Sequence, residues 1–314
     1  MKPMLSPKEV AAAIGVSESS LKRWADDGRL RVSRTVGGHR RISLQEAVRF
    51  ARQANLPVLK PEIFGLPELA LARRSRGGKG DAVELLTDRL SSGQADEARA
   101  IILDLYLSGR SVGYICDEPI RRAMQSIGET WKHQANGIAL EHRATDICIH
   151  SLNLLRHLIE RPRSKPTDRA DGGGDADPLP AAVGGAPSGD PYLLPSIMSA
   201  CVFAEAGFHA INLGPDTPLQ TLALSAETCR AHAVWLSCSV DEQPPSRGEF
   251  EALCSRVAEI NGRVVLGGRA LTPPMIDAPN LHVFATMSEL SGFAKGLTTS
   301  HHGRDATETA SNSG

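Results

Sequence analysis

The chain has 314 residues, 41% of them apolar and 23% charged, with a net charge of −1. No run approaches twenty apolar residues and the N-terminus lacks a signal-peptide layout, which excludes a membrane-spanning helix and sets the expectation of a soluble, cytoplasmic protein. Six cysteines (116, 148, 201, 229, 238, 254) show no paired spacing, as fits a reducing compartment and argues against a zinc site of the usual kind.

Ser6-Pro7 is a capping residue followed by Pro at the first helical position, and it predicts a short helix, Lys8 to Ile14, stopped by Gly15. Ser17 predicts the cap of a second helix, in which Val16, Leu21 and Trp24 face inward and Glu18, Ser19, Lys22 and Arg23 outward. Two short helices joined by a Gly-containing turn form the helix-turn-helix pattern. Leu30 to Ile42 reads as strand, turn, strand, with Gly37-Gly38 at the tip, and Arg34, Thr35, His39, Arg40 and Arg41 clustered where they can reach phosphate oxygens. Ser43 predicts the cap of a third helix, Leu44 to Gln53.

Charge follows the same division. Residues 1 to 60 hold twelve Lys and Arg against five Asp and Glu, a net +7 in a chain that is nearly neutral as a whole. A basic end on a neutral chain is expected when one domain meets a polyanion and the others do not.

Leu56 to Pro67, with three prolines, reads as an extended connector, and 73–80 is basic and Gly-rich. Asp81 to Glu160 carries apolar residues at helical spacing in four stretches separated by glycines, the content of a four-helix bundle. His142, His150 and His157 fall within roughly 80° of one another on a straight helix, but without further ligands they predict no metal site. Residues 161–177 read as a flexible linker, and about 299–314 as a disordered tail.

Between them, 178–298 alternates strand and helix. The predicted strands are Leu179–Val183, Ala210–Leu213, Ala233–Ser237, Val264–Leu266 and Leu281–Phe284. The predicted helices are Leu194–Ala206, Leu219–Ala231, Arg247–Asn261 and a short one near Met275. The pattern argues for a doubly wound parallel sheet with small-residue loops at the carboxyl ends of its strands. Dinucleotide binding is disfavoured, because no Gly-x-Gly-x-x-Gly opens a helix after the first strand. The expected fold is multidomain: an α-rich winged helix-turn-helix with its connector (1–75), a four-helix cap (80–160) and an α/β Rossmann-like domain (178–298).

Leu21-Lys-Arg-Trp-Ala-Asp-Asp-Gly-Arg-Leu30 and Thr35-Val-Gly-Gly-His-Arg-Arg-Ile42 resemble the winged helix-turn-helix of MerR-family regulators and excisionases. That likeness implies that Ser19, Lys22 and Arg23 lie on a recognition helix and Arg34, His39, Arg40 and Arg41 on the wing. The order of units is similar to MerR-type repressors of the CarA and CarH kind, which carry a helical cap and a cobalamin-binding Rossmann-like domain. The segments that carry this likeness are Trp131 with Glu141-His142, Leu213-Gly-Pro-Asp-Thr-Pro-Leu219, Leu236-Ser237 and Leu266-Gly267-Gly268. The resemblance implies an operator DNA partner, a homodimer or higher oligomer, an antirepressor protein as a further partner, adenosylcobalamin as cofactor, and no catalytic activity.

Two departures qualify the cofactor. The family's first-loop His, the lower ligand of cobalt, is replaced by Tyr192 in Asp190-Pro-Tyr-Leu-Leu-Pro195, and the Gly that follows it by Pro195. A phenol is a poor cobalt ligand compared with imidazole. Beside Trp131, where light-sensing members place a His, this chain has Lys132, then His133. The residues leave open cobalamin held without a His, another ligand in the same crevice, or a domain kept for its surfaces. Two other functions fit parts of the chain: a ligand-independent regulator controlled by protein partners, and a corrinoid-carrying methyltransferase subunit, which would need the missing His. The expectation is that adenosylcobalamin binds the wild type weakly or not at all, and that Tyr192→His, with Pro195→Gly to relax the loop, strengthens binding and shifts the spectrum towards a His-ligated form.

Overall fold

Ser6 starts α1 (Pro7–Ile14) as predicted. The Glu9 N–H donates to the Ser6 hydroxyl at 3.3 Å and the Ser6 N–H to the Glu9 carboxylate at 2.8 Å, a reciprocal cap. Gly15 ends the helix at φ +72°, and a Cβ there would lie 2.3 Å from Leu59 Cδ1, so both backbone and space call for glycine. The computed structural model describes residues 4–71, 81–131, 136–160, 179–240, 245–269 and 278–298. Its chain divides into two compact units, Met1–Arg163 and Ser164–Gly314.

In the first unit, α2 (Glu18–Asp26) follows the turn after α1. Strands β1 (Met4–Leu5), β2 (Ser33–Arg34) and β3 (Arg40–Ser43) pair antiparallel in the order β1-β3-β2, and α3 (Leu44–Gln53) leaves β3 directly. Ser43 caps α3 by accepting the Glu46 N–H at 3.2 Å. Leu5, Val10, Ile14, Leu21, Ile42 and Val48 close the core beneath these elements. The extended connector is corrected. The Leu59 and Lys60 N–H groups both donate to Ala13 O, at 2.7 and 3.1 Å, and a 3₁₀ turn follows at Pro61–Phe64. Val58, Phe64, Leu66 and Leu69 are buried, so apolar residues between the prolines fold the segment back onto α1.

The predicted helical region forms α4 (Ala82–Ser92), α5 (Ala95–Leu107), α6 (Val112–Ile115), α7 (Arg121–Trp131) and α8 (Gly137–Ile159). A π-turn at Cys116–Ile120 joins α6 to α7, and Pro119 within it lacks the N–H that an ordinary α-turn would use. These helices and the helix-turn-helix belong to one unit. Here α3 packs on α5 and α8. Gln45 Nε2 donates to His157 O at 3.1 Å, and Arg52 donates to Arg110 O at 2.9 Å while its guanidinium lies 4.0 Å from the centre of the Tyr106 ring.

The second unit alternates β4 (Ala181–Pro187), α9 (Leu194–Glu205), β5 (His209–Thr217), α10 (Leu219–Cys229), β6 (Ala233–Ser237), α11 (Arg247–Glu259), β7 (Arg263–Gly267) and β8 (Leu281–Val283), with a last helix, α12, over 287–298. All five strands are parallel in the order β5-β4-β6-β7-β8. The direction of winding reverses between β4 and β6, so the crevice of this fold opens at their carboxyl ends. Val183, Val234, Leu236, Val264 and Leu266 pack on one face against α10 and α11. Phe203 from α9 packs against Trp235 on the other face.

Two strands run further than predicted. β4 continues through Gly184-Gly185 to Pro187 and β5 through Gly214 to Thr217, where small residues read as loops in the sequence. A Cβ on Gly185 would lie 2.7 Å from Gly214 O, so glycine here serves close strand approach rather than a turn. The helix at 287–298 is absent from the predicted elements, although Thr286 and Glu289 form the reciprocal start signal: the Glu289 N–H meets Thr286 Oγ1 at 3.1 Å, and the Thr286 N–H meets Glu289 Oε2 at 3.2 Å. The short helix expected near Met275, the linker at 161–177 and the tail at 299–314 lie outside the described residues. Among the described residues no helix is long and apolar enough to cross a membrane.

All six cysteines are free thiols. Burial pushes the Cys148 thiol up to about 12, and burial together with the Asp190 charge does the same for Cys238. In the unfolded chain these thiols ionise near 9.0, so their contribution to stability is complete below that pH and is lost as pH rises from there toward about 12. We expect the melting temperature to fall over that interval, and a thiol reagent at pH 8 to label Cys148 and Cys238 far more slowly in the native than in the urea-unfolded protein.

Candidate nucleic-acid interface

Ser17 sets the start of α2. Its hydroxyl accepts the Ser20 N–H at 3.1 Å and lies 2.9 Å from the hydroxyls of Ser19 and Ser20. From this anchored start Ser19, Lys22 and Arg23 project to solvent, while Leu21 is buried on the opposite side. Lys22 pairs with Glu18 one turn earlier at 3.0 Å, an exposed contact that phosphate can displace.

The wing is the β2–β3 hairpin. The Thr35 N–H donates to His39 O at 2.9 Å, the Gly38 N–H to Thr35 O at 2.8 Å, and the His39 N–H to Thr35 Oγ1 at 3.2 Å. Gly38 takes φ +77°, the left-handed conformation this turn requires. Arg34 and His39 are exposed, Arg41 is half-buried, and Val36 stands fully exposed at the tip. Two predicted contacts thus have work inside the hairpin. Thr35 closes the turn, and Arg40 meets Asp26 at the end of α2, N to O 2.6 Å. Arg40 therefore ties the wing to the helix rather than standing free for phosphate.

Behind this surface lies a support that the sequence reading missed. The Glu46 carboxylate accepts the Arg31 N–H at 2.8 Å and the Arg49 Nε–H at 2.7 Å, and Arg49 donates in turn to Arg29 O at 3.2 Å. The hydrogen bond to Glu46 holds the Arg49 guanidinium above its ordinary value. The pair fixes the segment between α2 and the wing, where Arg29 and Arg31 add two exposed cations. The only advance sign was that Glu46 and Arg49 stand one helical turn apart in α3.

Neutralising Asp26 tests this geometry. Asp26 is exposed and Arg40 half-buried, and a pair at this surface contributes no more than about 1 kcal/mol. We expect Asp26→Asn to leave the melting temperature nearly unchanged and to strengthen binding to duplex DNA by roughly 3-fold at low salt, because a carboxylate leaves the basic surface that is the candidate for meeting phosphate. Fluorescence anisotropy at two salt concentrations measures the change.

The residues assigned to the second predicted site are divided between the two units. Trp131 ends α7, and its side chain lies outside the described residues, as do Lys132 and His133. Glu141 and His142 are exposed on α8 of the first unit. Tyr192, Ser237, Gly267 and Gly268 belong to the second unit, at the carboxyl ends of its strands. Tyr192 is 45% exposed, with the Arg269 guanidinium 5.8 Å from its ring centre, and Pro195 sits in the first turn of α9. Among the described residues no group of three or more His, Cys, Asp or Glu is placed to hold a metal ion.

The loops above the sheet bind one another. The buried Asp190 carboxylate accepts the Tyr192 N–H at 3.0 Å and reaches across to the loop after β6, accepting the Ser239 N–H at 2.5 Å. Asp216, near the carboxyl end of β5, accepts the Gly189 N–H at 2.8 Å, and its own N–H donates to Asp190 O at 3.0 Å. The Cys238 N–H donates to Gly267 O at 2.7 Å, and a Cβ on Gly268 would fall 1.8 Å from Cys238 O.

Residues 4–54 match a family described as a helix-turn-helix domain. No curated protein matches the chain. Among solved structures it is similar to the Methanosarcina barkeri monomethylamine corrinoid protein, at 15% identity and a TM-score of 0.47, over 68% of this chain and 96% of that one. The methanol:cobalamin methyltransferase complex MtaBC from Methanosarcina barkeri follows at 10% and 0.34, over 70% and 80% of the two chains. A novel cobalamin-binding protein from Desulfitobacterium hafniense DCB-2 gives 12% and 0.33, over 68% and 98%.

Proposed function

We propose that this chain is a sequence-specific DNA-binding transcriptional regulator of MerR type, acting as a repressor from the cytoplasm and assembling as a homodimer or higher oligomer on its operator. One observation carries the reading: within a helix-turn-helix domain, an anchored helix presents Ser19, Lys22 and Arg23 beside a hairpin that presents Arg34, His39 and Arg41. A helix of this kind enters the major groove, and the cations of the hairpin meet the flanking phosphates.

Each domain of this size reads one half-site, so specificity over a longer operator requires two copies related by symmetry. The second unit then serves as a sensory or oligomerisation module, and an antirepressor protein is the partner class that would relieve repression. The reading assigns the chain no catalytic step. Contacts from Gln45 and Arg52 couple the orientation of α3, and with it the wing, to α5 and α8.

Footprinting of the full-length protein on selected DNA tests the proposal. The expected result is protection of two related half-sites about one helical turn apart, or a multiple of it, with affinity falling steeply as salt rises. Protection of a single half-site by one chain, or binding indifferent to salt, would overturn it.

A further inference from the structure

A doubly wound sheet takes its ligands at the switch point, here the carboxyl halves of β4 and β6 beside α9. A side chain already occupies it. Trp235 stands beside Gly184 in the β4–β6 register, and its indole lies flat on β4, so a Cβ on Gly184 would come within 2.1 Å of the ring. Trp235 is 1% exposed. Phe203 of α9 stacks on it, ring centres 5.4 Å apart at 26°.

The polar edge of the indole is also satisfied. Its Nε1–H donates to Ser196 Oγ at 3.1 Å, and the Ser196 hydroxyl donates to Asn212 Oδ1 at 2.8 Å. Asn212 Oδ1 accepts the Gly214 N–H as well, at 3.0 Å. Strands β6 and β5, helix α9 and the bend in β5 are thus joined through one ring. Above it the Asp190 bridge closes the loop after β4 onto the loop after β6, and the contact of Gly268 with Cys238 closes β6 onto β7.

We infer that the second unit is cofactor-free by construction: the Trp235 indole permanently fills the slot between α9 and β4 that a planar group entering at the switch point would need, and the Asp190-bridged loops seal it. The residues present do not fit cobalamin, and the obstacle is space before it is the missing imidazole. A single Tyr192→His exchange supplies a ligand without supplying room. The slot itself is shaped for a planar bicyclic aromatic, and it becomes a binding site for one only when the indole is removed. The proposal does not depend on DNA binding, and its test reads none.

Full-length wild-type protein and Tyr192→His, each incubated in the dark with excess hydroxocobalamin or adenosylcobalamin, are gel-filtered and the spectrum of the protein peak is recorded. Both are expected to emerge without corrin absorbance. A stoichiometric corrin in either overturns the inference, in the variant because it would show that only the ligand was lacking. In parallel, Trp235→Ala is melted with and without free indole and 5,6-dimethylbenzimidazole. The variant is expected to melt several degrees below wild type and to regain part of that loss with either compound, while wild type does not respond. An equal response in both proteins overturns the assignment of the slot. Should the alanine variant not fold, Trp235→Leu takes its place with the same readout, and the corrin arm stands without either.

Discussion

Replacing Arg34 and Arg41 together with Ala is expected to weaken binding of the full-length chain to duplex DNA by on the order of 100-fold at moderate salt, and to do so for operator and unrelated sequences alike. Both side chains sit on the wing, Arg34 exposed and Arg41 half-buried, and the proposal gives them phosphates as targets, which carry no sequence information. Each phosphate contact removed should also reduce the slope of log K against log salt by about 1. Arg40 should behave differently: Arg40→Ala releases the tie to Asp26 and loosens the wing, with a smaller change in slope. Titration at four salt concentrations separates the two. An unchanged slope in the double variant would remove the wing from the interface.

Gly184→Ala is expected to destabilise the second unit by roughly 3 kcal/mol, an unusually large effect for one added methyl group, because the Cβ would stand 2.1 Å from the Trp235 ring. Trp235→Leu alone should cost about 3 kcal/mol by leaving a void against Phe203. The two changes should not add. With the indole gone, the methyl group introduced at position 184 has room, and the double variant should be more stable than the sum by about 1–2 kcal/mol. Chemical denaturation of the four proteins completes the cycle, and strict additivity would mean that the ring does not lie on β4.

What the sequence revealed followed the range of the signals. The starts of α1, α2 and α3 were legible because each is set by a serine within three residues of the N–H it caps. β6 is legible to the residue, Ala233–Ser237, since a fully buried strand is a continuous apolar run. Gly184 and Gly185 read as loop because glycine is ambiguous alone; they belong to a strand through pairing with β5 and β6, distant in sequence, and the closeness of Trp235 and Gly214 O is what requires glycine there. Asp190 posed the same difficulty. Its place in a resemblance pointed to a cofactor loop, whereas its partner Ser239 shows it bracing two loops of the sheet. For the DNA-facing residues, exposure was legible from helix spacing, but the tie of Arg40 to Asp26 joins elements fourteen residues apart and has no local signature.

The grip of Arg52 and Gln45 on the helices beyond the connector bears on how this protein can be recombined with others. A graft of DNA specificity cut after residue 75 would carry α3 away from Tyr106 and the Arg110 and His157 carbonyls, and leave an unmatched apolar and cationic face on the transplanted piece. The exchangeable cassette is the whole of Met1–Arg163. Shuffling of chains built this way, by recombination or by design, should succeed at the boundary between the two units far more often than at the end of the helix-turn-helix.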